Sequence, residues 1–168
     1  MAMMRTVNGG GTGMSMLKEA DFYYGAVLSL LINKGICPAL IEGGKDRQIY
    51  KLTTDQKDFL LFLKYRSKPI DTKTPNYKSW QFSFSDDDIK ELTQFMSSAK
   101  HLSVGLVCGN EKLSTSEYAV INRDELEQLF RQSKTTLTIS RKKGEKAFRI
   151  IIGGSREKAI QIPSNRLY

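Results

Sequence analysis

The sequence has 168 residues, of which 40% are hydrophobic and 26% charged, values typical of one globular domain. This composition excludes a disordered, collagen-like or coiled-coil chain. The formal net charge of +8 lies entirely at the C-terminal end, because residues 131–168 carry 10 basic and 2 acidic side chains, whereas residues 1–130 carry 16 of each. Binding of an anionic partner through excess positive charge is therefore expected in the C-terminal part.

The first half of the chain predicts a helix followed by strands. Residues 1–14 are rich in glycine and lack periodicity, which predicts a flexible leader. From Ser15, the candidate N-cap, apolar residues recur at three- and four-residue spacing up to Gly35, which predicts an amphipathic helix. Extended segments follow at 38–41, 47–53 and 58–66. The last has apolar residues at both parities, which is typical of a strand buried on both faces in the centre of a sheet.

The second half alternates strands and helices. A strand over 80–84 leads to a helix capped by Ser85, and the carboxylates of 86–88 complement the positive end of the helix dipole. Three adjacent carboxylates also suggest a metal site, but the cap explains them without an ion. Another helix is predicted after Asn122, with Glu125 completing its cap. Further strands are predicted over 102–108, 118–121, 135–141, 147–152 and 159–163.

These elements predict one domain of the α/β (α+β) class, with a mixed central sheet flanked by helices. We expect a leader over 1–14, an α/β body over 15–130 and a basic β-meander over 131–168 that belongs to the same domain. The turns of the meander are predicted at Lys143-Gly144-Glu145 and at Gly153-Gly154.

The two cysteines and the hydropathy indicate the compartment. Cys37 and Cys108 lie far apart without a CxxC partner, so neither a disulfide framework nor a zinc site is indicated. Both lie in apolar runs, and we expect both to be buried and unreactive. No stretch approaches the ~18–20 apolar residues that cross a bilayer, and no apolar signal segment is present. We expect a cytoplasmic protein without a membrane partner.

One part of the chain is similar to a known family. It comprises the helical stretch from Tyr24 to Gly35, the loop and strand Glu42-Gly-Gly-Lys-Asp46-Arg-Gln-Ile-Tyr50, and the strand Phe59-Leu-Leu-Phe-Leu-Lys-Tyr-Arg-Ser-Lys68. Over about residues 17–68, the chain resembles the restriction-endonuclease-like PD-(D/E)xK superfamily, especially its Holliday-junction-resolvase-like members. The resemblance implies a restriction-endonuclease-like fold and a metal-dependent phosphodiesterase site.

The resemblance also implies residue roles. Glu19 matches the acid of the family's helix, Asp46 matches the aspartate of the PD motif, and Lys64 matches the motif lysine. Where the family has a carboxylate two residues before this lysine, the chain has Phe62. Hydrolysis with Mg²⁺ needs several oxygen ligands that converge on the ion, so this departure predicts an inactive relative.

Two other carboxylates are candidates to replace the missing ligand. Asp58 shares side-chain parity with Lys64, and Glu42 is a second candidate. If the site is active, the catalytic residues would be Glu19, Asp46, Asp58 and Lys64, with Mg²⁺ on Asp46 and Asp58. The alternative is that Lys64 is a basic residue at a strand end and that Asp46 serves a turn.

Basic residues crowd the predicted hairpin turn of the meander. Clustered lysine and arginine side chains suit contacts to nucleic-acid phosphates, which give affinity without reading sequence. The alternative is a solvated hairpin whose lysines protect a sheet edge from pairing. The nucleic-acid candidates are Arg141, Lys142, Lys143, Lys146 and Arg149, with Lys64 and Arg66 from the body, and Arg156, Lys158 and Arg166 lie nearby in sequence.

Three functions remain open from the sequence. The first is nucleic-acid binding by an inactive PD-(D/E)xK-like fold that needs no cofactor. The second is a Mg²⁺-dependent DNA or RNA endonuclease, and the third is an interaction or regulatory domain that binds an acidic protein. The sole tryptophan, Trp80, could stack on a base, although a core position is the ordinary expectation.

Overall fold

The described residues, which are 15–71, 73–151 and 159–168 of the computed structural model, form three helices and two β-sheets. The helices are α1 (Glu19–Asn33), α2 (Asp86–Ser98) and α3 (Arg123–Arg131). The strands are β1 (Cys37–Glu42), β2 (Gln48–Thr53), β3 (Asp58–Arg66), β4 (Tyr77–Ser83), β5 (Leu102–Cys108), β6 (Glu117–Asn122), β7 (Thr136–Lys142), β8 (Ala147–Ile150) and β9 (Ile160–Pro163). This is a mixed α/β domain, consistent with the predicted α+β class.

Some predicted features lie outside the described residues. They are the leader over 1–14, the turn at Gly153-Gly154 and the basic residues Arg156 and Lys158. None of the helices in the described part of the chain has the length and apolar character that a membrane crossing requires.

The helix starts follow local hydrogen bonding. The caps predicted for α2 and α3 are confirmed, because in each the cap side chain accepts from a backbone N–H three residues on, and the carboxylate there accepts in return. The cap predicted at Ser15 is wrong. Helix α1 begins after Lys18, whose backbone N–H donates to Asp21 at 2.8 Å.

The first sheet has the strand order β1-β2-β3-β5-β6. Strand β3 lies at its centre, as its two-sided apolar pattern predicted. Strands β3 and β5 are parallel, with Leu60 opposite Leu102 and Arg66 opposite Cys108, and the other neighbours are antiparallel. The carboxyl ends of β3 and β5 therefore meet at the same edge of the sheet.

The second sheet has the order β4-β7-β8-β9. Strand β4, which lies between β3 and β5 in sequence, pairs with β7 from Tyr77 opposite Lys142 to Ser83 opposite Thr136. The basic meander is thus joined through β4 to the rest of the chain.

Two apolar clusters hold the sheets and helices together. One lies between α1 and the first sheet and contains Tyr24, Leu31 and Leu63. The other lies between the opposite face of that sheet, the second sheet and helices α2 and α3, and it contains Phe62 and Trp80. Trp80 is fully buried, so it is a core residue and is not exposed for stacking on a base.

The two cysteines differ. Cys108 on β5 is buried as expected, and burial raises the pKa of its thiol. Cys37 is exposed, contrary to expectation, because it begins β1, which lies at the edge of the first sheet and pairs on one side only.

Candidate functional site

A cavity of about 780 Å³ lies where β3 ends. Its walls come from the start of α1, the loop between β1 and β2, the end of β3 and the start of α2. The charged side chains that line it are Glu19, Glu42, Lys45, Asp46, Arg47, Lys64, Arg66, Asp87 and Asp88. The predicted site residues Glu19, Asp46 and Lys64 are therefore brought to one cavity.

Lys64 lies on the side of β3 that faces α2. Because side chains alternate along a strand, Lys64 shares the face of Phe62, whereas Tyr65 faces α1. The Lys64 Nζ donates to Asp88 Oδ2 at 2.9 Å and lies 5.6 Å from the centre of the Phe84 ring. Only 11% of its side chain is exposed, so the ammonium group depends on Asp88 for charge compensation.

Arg47 is the second inner cation, and sequence reasoning missed it. Its guanidinium donates to Glu42 at 2.7 Å, to Asp88 at 2.9 Å and to Asp87 at 3.3 Å. It also lies 5.6 Å from the centre of the Phe62 ring. Hydrogen bonding to Glu42, opposed by burial and supported by Asp88, raises the pKa of Arg47 above its usual range. Phe62 thus lies beneath an arginine.

Asp88 joins the two cations. Besides its part in the α2 cap, its carboxylate accepts hydrogen bonds from Lys64 and Arg47. Burial alone would raise the pKa of Asp88, but hydrogen bonds from Lys64, Ser85 and Arg47 lower it below the usual value. The capping role predicted from sequence is confirmed, and the ion pairs add a second role that local sequence could not indicate.

The α1 side of the cavity is built by tyrosines. The Tyr24 hydroxyl donates to the Lys45 carbonyl at 2.9 Å and so holds the loop that carries Asp46. The Tyr65 ring stacks on Tyr23 with 4.9 Å between centroids. Burial and, next, the nearby Glu19 carboxylate raise the pKa of Tyr65. Glu19 and Asp46 therefore lie beside tyrosines on the α1 side of the cavity, whereas Lys64 pairs with Asp88 on the α2 side.

Asp58 does not belong to the cavity. It begins β3, six residues before Lys64, which corresponds to about 20 Å along the strand. Its carboxylate pairs with Lys51 at 3.3 Å. The expectation that Asp58 replaces the missing ligand is therefore wrong.

The donor set does not fit a divalent metal ion. Among the described residues, no group of three or more His, Cys, Asp or Glu side chains is arranged to hold one. Asp46 and Asp58, the expected ligands, lie apart. The Glu42 and Asp88 carboxylates accept hydrogen bonds from Arg47 and Lys64, so an added cation would meet two positive charges.

Part of the basic meander has acidic partners. Arg141 pairs with Glu117 and also donates to the Glu145 carbonyl at 3.1 Å. The Arg149 Nε lies 3.8 Å from the Glu145 carboxylate, and Arg166 pairs with Glu125. Arg141 was expected to bind phosphate, but its guanidinium already serves an ion pair between the second sheet and β6. Lys142, Lys143 and Lys146 are exposed and form no ion pair with a described residue.

A backbone hydrogen bond and a side-chain hydrogen bond connect the cavity rim to this hairpin. The Gly109 N–H donates to the Arg66 carbonyl at 2.7 Å, and the Lys78 Nζ donates to Asn110 at 3.0 Å. Lys78 lies opposite Arg141 in the β4–β7 register. We use "basic edge" for the exposed cations along this path, which are Arg66, Lys68, Lys78, Lys142, Lys143 and Lys146. Lys68 follows Arg66 directly after β3, whereas the sequence did not single out Lys78, because only the pairing of β4 with β7 brings it here.

Comparisons of the chain with models of protein families, with curated proteins and with solved structures found no match.

Proposed function

We propose that this protein binds nucleic acid by phosphate contacts along the basic edge and does not cleave it. The observation that carries the proposal is the division of the cations into two groups. The inner cations of the cavity, Lys64 and Arg47, are bound by carboxylates. The cations of the basic edge are exposed, and their backbones form one path from Arg66 to the β7–β8 turn.

Several exposed cations in neighbouring segments of the chain suit a polyanion. A surface ion pair contributes little, whereas each phosphate contact releases condensed counterions and so makes binding depend on salt. Six exposed cations supply about five phosphate contacts, which gives a slope of log K against log salt of roughly −4 to −5 for duplex DNA. Contacts of this kind position a strand without reading its bases.

The helix and strand order supports a PD-(D/E)xK-like scaffold within the proposal. Helix α1 precedes the antiparallel β1-β2-β3 meander, and a crossover that includes α2 leads to the parallel strand β5. Cleavage is not part of the proposal, because Phe62 stands where the family has a carboxylate and Asp88 neutralises Lys64. The site would then serve as a structural ion-pair cluster beside the binding surface.

The proposal is tested by measuring affinity with two lysines of the β7–β8 turn reversed in charge. We expect Lys142→Glu/Lys143→Glu to raise Kd for a labelled oligonucleotide by about tenfold or more, and to make the salt slope shallower by about 2. Fluorescence anisotropy over a salt series, with duplex DNA, single-stranded DNA and RNA, measures both quantities.

The matched control is Lys57→Glu/Lys100→Glu. It changes the net charge by the same amount. Both residues are exposed, and they lie just before the N-terminal ends of β3 and β5, away from the C-terminal ends that meet at the cavity. We expect this control to keep the wild-type slope. Equal losses in the two variants, or no binding by the wild type, would overturn the proposal, and the second result would favour an acidic protein partner.

Cleavage is tested separately. We expect no product when plasmid, single-stranded DNA or RNA is incubated with the protein and Mg²⁺ or Mn²⁺, compared with EDTA. A metal-dependent product that disappears in Asp46→Asn would establish the endonuclease alternative. Asp46 suits this test because it is exposed at the cavity, so that the substitution leaves the fold intact.

A further inference from the structure

The two sides of the second sheet differ in chemistry. Side chains alternate along a strand, so Trp80, Ile139, Phe148 and Ile162 mark the side that faces the core. We call the opposite side the polar face, because none of its strand residues is acidic and none is a Leu, Ile, Val, Met, Phe or Trp. Six of these residues are exposed, and they are Gln81, Ser83, Thr136, Lys142, Gln161 and Pro163.

One row of residues crosses the polar face from edge to edge. Ser79 lies opposite Ser140, Ser140 lies opposite Arg149, and Arg149 lies opposite Gln161. Cross-strand neighbours of this kind have Cβ atoms about 4.5–5.5 Å apart. The row therefore places hydroxyl, guanidinium and amide groups side by side over all four strands.

Two neighbouring atoms of this row have no hydrogen-bond partner in the described part of the chain. They are the Ser140 Oγ and the Arg149 Nε, and both are buried. The Glu145 carboxylate lies 3.8 Å from the Arg149 Nε, which is too long for a hydrogen bond. Buried polar atoms are nearly always paired in native proteins, so this pair marks a place where a bound molecule supplies the acceptor. The Arg149 side chain is 24% exposed, so the row is open to solvent at this residue.

The polar face adjoins the basic edge. Lys142 belongs to both, because it ends β7 on the polar face and leads into the turn that carries Lys143 and Lys146. A nucleic acid on the basic edge can therefore continue onto the polar face without a gap. The cations and the missing acidic residues of this face favour such an anionic partner.

The width of the polar face favours one form of nucleic acid. Its four strands span three intervals of about 4.8 Å, which gives a width of about 14 Å. The grooves of B-form DNA are about 12 Å and about 6 Å wide, so the face is too broad to enter either of them. A-form RNA, by contrast, presents a wide and shallow minor groove that displays its 2′-hydroxyl groups.

The side chains of the polar face also match these hydroxyl groups. Serine, threonine and glutamine both donate and accept hydrogen bonds, as a 2′-hydroxyl does. Only Lys142 and Arg149 are cations among the strand residues of this face, so hydrogen bonds by neutral groups outnumber contacts to phosphates. Single strands are bound by stacking on aromatic rings, and Tyr77, the one aromatic strand residue of the face, is half-buried.

We infer that the polar face binds the minor groove of double-stranded RNA, with the Ser140–Arg149 pair at the centre of the contact and the basic edge on the flanking phosphates. The inference rests on the proposed function, because the same nucleic acid is held at the basic edge, and it names the form of that nucleic acid.

Isosteric substitutions in the full chain test the polar face. Gln81→Glu/Gln161→Glu adds two negative charges at exposed positions of this face without changing side-chain size. We expect it to raise Kd for a labelled RNA duplex by about tenfold or more, and Arg149→Met to have a similar effect. Circular dichroism checks that both variants are folded. The matched control is Gln56→Glu/Gln128→Glu, at exposed glutamines of the β2–β3 turn and of α3, which should bind like the wild type.

The form of the nucleic acid has its own test. We expect the wild type to bind the RNA duplex about tenfold more tightly than a DNA duplex of the same sequence. A 2′-O-methyl RNA duplex, which keeps the A form but lacks the hydroxyl donors, should bind more weakly than the unmodified RNA duplex.

Three results would overturn the inference while leaving the proposed function in place. They are equal affinity for the RNA duplex and either of the other duplexes, tighter binding of single strands than of the RNA duplex, and equal effects of the two glutamine pairs. A wild type that binds no nucleic acid would overturn the proposed function and the inference together.

Discussion

Replacing Asp88 with asparagine is expected to lower the free energy of unfolding by about 3 kcal/mol, because it leaves the nearly buried Lys64 ammonium without a counter-charge. Arg47 keeps Glu42 but loses its shortest contact to α2. Urea unfolding followed by the fluorescence of the single, buried Trp80 measures the change.

Asp86→Asn is the matched control for this variant. Asp86 is exposed in the same helical turn and contributes through the helix dipole, so we expect a loss below about 1 kcal/mol. The double variant Lys64→Met/Asp88→Asn should recover part of the loss, because no unpaired charge remains. Equal effects of Asp86→Asn and Asp88→Asn would contradict the ion-pair explanation.

The stability difference between wild type and Asp88→Asn is also expected to depend on pH. The pKa of Asp88 in the folded chain lies below the usual 3.8, so the unfolded chain takes up the proton first as pH falls. The stabilisation is complete above about pH 5 and is lost as pH falls through the folded pKa. The difference between wild type and Asp88→Asn should therefore shrink at about pH 3.

Gly109→Ala is expected to lower the free energy of unfolding by about 3 kcal/mol, about as much as Asp88→Asn. A Cβ at Gly109 would lie 2.5 Å from the Arg66 carbonyl oxygen and 2.7 Å from that of Ser67, and both are backbone atoms that cannot turn aside. The Gly109 carbonyl also accepts the Trp80 indole N–H at 2.8 Å. Because Arg66 belongs to the basic edge, the proposed nucleic-acid binding should weaken as well.

Gly43→Ala is the control for Gly109→Ala. Gly43 also lines the cavity, but its added Cβ would meet only the Leu40 Cδ2 at 3.6 Å, an ordinary contact. We expect a change within about 1 kcal/mol in the same urea titration. An equally small change for Gly109→Ala would show that the close approach of residue 109 to the Arg66 and Ser67 carbonyls does not require a glycine.

Local patterns predicted most helices and strands. The two-sided apolar run over 58–66 gave the bounds of β3, and the cap residues Ser85 and Asn122 gave the starts of α2 and α3. The predicted start of α1 was wrong. Ser15 has a side chain typical of an N-cap, but the helix begins after Lys18, whose backbone N–H donates to the Asp21 carboxylate. These features depend on neighbours within a few residues.

Long-range pairing could not be predicted in the same way. Nothing near β4 in sequence indicates that it leaves the first sheet and pairs with β7. The bonds of Lys64 and Arg47 to Asp88, and of Arg141 to Glu117, span 24 residues or more. The resemblance placed Glu19, Asp46 and Lys64 at one cavity, but it could not indicate that Lys64 is already paired.

The position of β4 has a consequence for folding during synthesis. The core face of β4 carries Trp80 and Phe82, and Phe82 lies opposite Leu137, which the ribosome adds 55 residues later. At about 5–20 residues per second, these side chains remain without their strand partner for several seconds. The first sheet can form earlier, since its strands end at Asn122. Pairing of β4 therefore waits for β7, and a stalled chain would expose an aggregation-prone strand.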